Sequence, residues 1–162
     1  MPAALPLVKT LSCATAAAFL WGLAMTITAA AGLFLRGRLE TFHLPTILSI
    51  FFLGGFFGWW LTGMAGQCLK PFIRVRWLLI AIAIVALAAA TIFVTAGLFA
   101  LEYRSFYAQW HAETFSRIWI LQFLFTSASA FYQFAVMALR LYLPLGPICL
   151  IVGTFIMLRR MR

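Results

Sequence analysis

Glu40, His43, His111 and Glu113 hold nearly all the acid–base and metal-ligand chemistry open to this chain. Two imidazoles and two carboxylates can bind zinc or iron, or act as a general base on a lipid headgroup. Their spacing favours neither use. Neither Glu40/His43 nor His111/Glu113 has the i, i+4 step that sets two ligands on one helix face, and no HExxH-like run occurs. A bis-histidine haem fits less well still, because both histidines fall outside the long apolar runs. No catalytic residue, metal or cofactor is expected from these four, although any such chemistry would have to use them. No GxSxG, SxxK or Gly-rich phosphate loop is present, and Cys13, Cys68 and Cys149 lack metal-ligand or disulfide spacing.

The elements that must position these groups are membrane helices. The chain is 65% hydrophobic and only 9% charged, too few charges to clothe a soluble domain of 162 residues. Three runs, 11–35, 44–69 and 77–101, carry no charge, and each exceeds the roughly 20 residues a spanning helix needs. The first run is longer than the apolar core of a cleavable signal, so a retained helix is expected. A fourth span falls within 118–158. It is either Ile118 to about Leu139, or about Phe134 to Leu158, kinked at Pro144 and Pro147 with Arg140 snorkelling. The expected fold is all-α: one polytopic transmembrane domain, residues 1–162, with four helices in an antiparallel bundle.

The net charge of +9 resembles a nucleic-acid binder, but in so apolar a chain it fits juxtamembrane cations facing anionic lipid. With four spans, Lys9, Lys70, Arg74, Arg76, Arg159, Arg160 and Arg162 share one side. Arg36, Arg38, Arg104 and Arg117 share the other with all three glutamates. That bias predicts cytoplasmic termini, and with the short loops it suits a bacterial inner membrane. Lys70, Arg74, Arg76, Arg159, Arg160 and Arg162 are the expected contacts to anionic headgroups there.

Four further patterns suggest contact surfaces. Tyr103, Phe106, Tyr107 and Trp110 recur at i, i+3, i+4, i+7, which predicts an interfacial amphipathic helix between the third and fourth spans. Gln122, Thr126, Ser129, Gln133 and Arg140 form a polar stripe that should face protein or a water-filled path. Ala18, Gly22 and Thr26 in the first span, and Gly54 and Gly58 in the second, are small faces suited to close helix packing. Phe52, Phe56, Trp59 and Trp60 crowd the middle of the second span, where they can meet a partner helix, a lipid tail, a quinone or a pigment.

These surfaces predict an accessory, assembly or scaffolding subunit of a larger membrane complex, with lipids and other subunits, or copies of itself, as partners. A homo-oligomeric channel or transporter for a small anion or lipid is the alternative reading, with the polar stripe as its path. A membrane enzyme acting on lipid headgroups through Glu40, His43, His111 and Glu113 is the third.

Overall fold

A computed structural model of the chain describes residues 4–69, 75–143 and 145–160; for residues 4–12, 69 and 160 it describes the helical backbone alone. Lys70, Arg74 and Arg162 lie outside the described residues, as does the Arg160 side chain. Arg76 and Arg159 are exposed.

Among the described residues every regular element is helical. Helix α1 is Ala4–Phe34, α2 is Leu44–Leu69, α3 is Arg76–Tyr107, α4 is Arg117–Gln133 and α5 is Gly146–Arg160. Four helical stretches, Cys13–Phe34, Leu44–Cys68, Arg76–Trp110 and Arg117–Tyr142, are long and apolar enough to cross a membrane; Gly146–Arg159 is a shorter apolar helix. In lipid the helix is enforced, because each backbone N–H and C=O must find its partner within the segment. Gly37 stops α1: at φ +62° it turns the chain so that the Arg38 N–H returns to the Leu33 carbonyl at 3.0 Å. Ser116 starts α4, its hydroxyl accepting from the Trp119 N–H at 3.1 Å.

Small residues set the first three helices together. Gly22 of α1 meets α2 so closely that a Cβ there would stand 2.8 Å from the Phe52 carbonyl oxygen, and Gly55 faces Gly22 in return. On its other side α2 presents Gly54 to Thr95 and Gly58 to Thr91 of α3. The i, i+4 glycines of one helix thus receive the i, i+4 threonines of the next.

The region 118–158 divides into two helices with different courses. Between them the backbone widens into a π turn over Phe134–Ala138, then tightens into a 3₁₀ turn over Leu139–Tyr142. Leu141 rests on Gly32, and the Arg140 carbonyl accepts from Arg36 Nη2 at 3.1 Å. Gly32 and Arg36 belong to the last turn of α1 and the loop after it, so this junction lies at the end of the bundle opposite the chain's start, here called the distal end. From there α5 runs back along α1: Gly146 approaches Thr28, Gly153 lies on the Trp21 ring, and Met157 joins Ala17 and Ala18. α5 therefore runs beside α1 toward the end where α1 begins, while α4 remains at the distal end.

One expected element takes another form. The aromatic stripe 103–110 is not a separate helix: α3 continues unbroken to Tyr107, and a 3₁₀ turn, Ala108–Trp110, follows. No glycine or proline separates Leu101 from Tyr107, so nothing in the sequence ends the helix at the last apolar residue.

Candidate functional site

Two features share the distal end: a basic pocket, and a helical hairpin raised beyond it. The pocket, about 630 Å³, lies between the α1–α2 loop and the π segment. Arg36, Arg38, Arg140 and Gln133 line its polar side, and Phe51, Phe99 and Phe134 its apolar side. Arg36 is anchored: Nη1 donates to the Gly32 carbonyl at 2.8 Å and Nη2 to that of Arg140. Among the described residues the guanidinium groups of Arg38 and Arg140 have no hydrogen bond and no ion pair, and no carboxylate lines the pocket.

The hairpin joins the end of α3 to α4. The register that sets Gly54 on Thr95 brings the first turn of α2 level with about Ser105 of α3. α4 binds beyond that level. Gln122 Oε1 accepts from the Ala112 N–H at 2.9 Å, Thr126 Oγ1 lies 3.4 Å from His111 Nε2, and Gln133 Nε2 donates to the Tyr103 hydroxyl at 3.1 Å. Arg104 lies over the Phe123 ring at 3.9 Å, a cation–π contact that ties the two arms. The hairpin's other face is apolar and open: Phe125 is 71% exposed, Ile118 62% and Leu121 54%.

The polar stripe is divided by this geometry. Gln133 turns toward α3 and Gln122 and Thr126 toward the loop that follows it, whereas Ser129 is exposed. Arg140 leaves the stripe because the π and 3₁₀ turns break the heptad spacing, and it joins the basic pocket instead.

Of the four aromatics on α2, Trp59 is buried, its ring 6.0 Å from that of Trp21, so it belongs to the core rather than to an outer face. Phe52, Phe56 and Trp60 are half-buried; Phe52 packs on Phe19 at 5.2 Å. Ala18, Gly22, Gly54 and Gly58 are buried and Thr26 half-buried, its hydroxyl donating to the Gly22 carbonyl. In the aromatic stripe, Tyr103 and Tyr107 pair at 4.6 Å and Phe106 and Trp110 at 5.5 Å. Glu40, His43 and Glu113 are exposed and His111 half-buried; among the described residues no three His, Cys, Asp or Glu side chains form a metal-binding group.

A buried polar ladder had not been singled out in the sequence. Trp21 Nε1 donates to Thr91 Oγ1 at 3.1 Å, Thr95 Oγ1 donates to the Thr91 carbonyl at 2.7 Å, and the Thr95 and Tyr142 hydroxyls lie 2.7 Å apart. It joins α1, α3 and the turn before α5 beside a second, apolar cavity of about 300 Å³. The i, i+4 match between Gly54/Gly58 and Thr91/Thr95 was the signal that could have revealed it.

The chain matches no protein-family model, no curated protein and no solved structure.

Proposed function

We propose that the protein is an accessory or scaffolding subunit of a larger membrane complex, and that α4 is its docking element. The observation behind this reading is the position of α4. Its 17 residues extend about 25 Å at 1.5 Å per residue, and its amino-terminal half lies past the first turn of α2. Gln122 and Gln133 of this helix turn inward to the loop after α3 and to Tyr103 of α3, leaving Ile118, Leu121 and Phe125 outward. An apolar face of this size is covered when a second membrane protein packs on it. The charge bias of the sequence further proposes a bacterial inner membrane with the amino-terminal end of the bundle cytoplasmic.

The transport alternative draws less support from this geometry, since Gln122 and Thr126 bond to the loop after α3, and of the stripe only Gln133 and Arg140 line the basic pocket.

The test is the native mass of a tagged chain extracted gently from its own membrane. A fixed stoichiometry with larger subunits is expected, lost in Leu121→Ser/Phe125→Ser while helical content is kept. A wild-type chain that leaves the membrane as a stable monomer, without partners, would sink the proposal.

A further inference from the structure

The basic pocket at the distal end gathers three guanidinium groups and supplies no negative charge. Like charges held round one cavity repel unless an anion joins them. We propose that this pocket binds an anionic phospholipid, its phosphate held between Arg38 and Arg140 and the start of an acyl chain laid over Phe51, Phe99 and Phe134.

Four observations converge on that ligand. The guanidinium groups of Arg38 and Arg140 lack partners among the described residues, and the planar forks of arginine match phosphate oxygens. The phenyl floor selects an amphiphile, because a free anion gains nothing from it. The pocket lies level with the last turn of α1, where an uncharged run gives way to Arg36 and Arg38, the depth at which headgroups meet hydrocarbon. Its volume of about 630 Å³ is that of a ligand site, and its wall is the π segment, an irregular backbone tolerated at membrane depth where it lines a cavity. The proposal stands apart from the docking role of α4, and it concerns the end of the bundle opposite Arg76 and Arg159.

Delipidated protein in detergent would be titrated with phosphatidylglycerol and with phosphatidylcholine of the same acyl chains, and bound lipid counted by native mass spectrometry. Arg38→Gln/Arg140→Gln should bind phosphatidylglycerol about ten-fold more weakly, with phosphatidylcholine binding unchanged. Arg117→Gln, which removes an exposed charge at the start of α4 that does not line the pocket, should leave both affinities as they were. Equal phosphatidylglycerol affinity in the wild type and the double variant would overturn the proposal, as would an equal loss in Arg117→Gln. Displacement of the lipid by millimolar inorganic phosphate would overturn it too, since the site would then hold a free anion. Should the double variant lose its helical signal, Arg38→Gln alone, on an exposed loop, should weaken binding about three-fold, and an unchanged affinity there is equally fatal.

Discussion

Gly58 lies flat against Thr91: a Cβ at Gly58 would stand 2.6 Å from the Thr91 Cα and 2.8 Å from its backbone nitrogen. The neighbour is backbone, so it cannot rotate away. Gly58→Ala must push α2 from α3 and should destabilise the protein by about 1–3 kcal/mol, measured by unfolding in detergent micelles. Gly63→Ala, on the same helix with nothing within 4 Å, is the control and should be neutral or slightly stabilising.

Thr91→Val keeps the shape of the side chain and removes the acceptor of the Trp21 indole N–H. A loss of about 1–3 kcal/mol is expected in the same assay, because the donor is left buried and unpaired. Tyr142→Phe should cost less, since the Thr95 hydroxyl keeps its bond to the Thr91 carbonyl. Equal losses would mean that the ladder acts as one network.

The course of residues 117–160 is open to a labelling test. In a background with Cys13, Cys68 and Cys149 replaced by Ser, Arg140→Cys should react with a membrane-impermeant maleimide from the same side as Arg38→Cys. Were α4 to cross the bilayer, Arg140 would react from the opposite side. Both positions are exposed, so access does not limit the reading.

Zinc should leave the unfolding midpoint unchanged, because Glu40, His43, His111 and Glu113 build no metal-binding group among the described residues. His111→Ala should then cost only its weak contact to Thr126, at 3.4 Å. An upward shift of several degrees in excess zinc is what binding to the native state produces, and it would restore the metal reading.

The membrane helices were legible because transfer free energy acts along the chain: an uncharged run such as 44–69 reads as a helix whatever it packs against. The course of 117–160 was not, since hydropathy reports what a segment prefers and not where its ends are held. Ile118 to Leu139 satisfies the length and polarity of a span, as Arg117–Tyr142 does in the structure; what hydropathy does not carry is that Gln122 and Thr126 pair it with the loop after α3 and Gln133 with Tyr103. The basic pocket was hidden for a related reason. Arg36 and Arg140 are 104 residues apart, and Arg140 reads as part of the stripe only if the helix stays regular from Gln133 onward. The small faces at Gly22 and Gly54/Gly58 were readable as packing surfaces, but their pairing was not: Thr91 and Thr95 carry only a matching interval, and Phe52 only its place among the aromatics of the second span.

The bond from Trp21 to Thr91 also sets an order of events during synthesis. Its two ends are 70 residues apart, so at about 5–20 residues per second the ribosome delivers Thr91 about 4–14 s after Trp21. Gly153, which lies against the same indole ring, emerges later still. The newborn first helix therefore waits with its indole N–H unclaimed, and α5 is the last part to reach it. A ribosome stalled before α5 would leave one side of Trp21 facing lipid, a half-built intermediate that quality-control proteases could recognise by that ring.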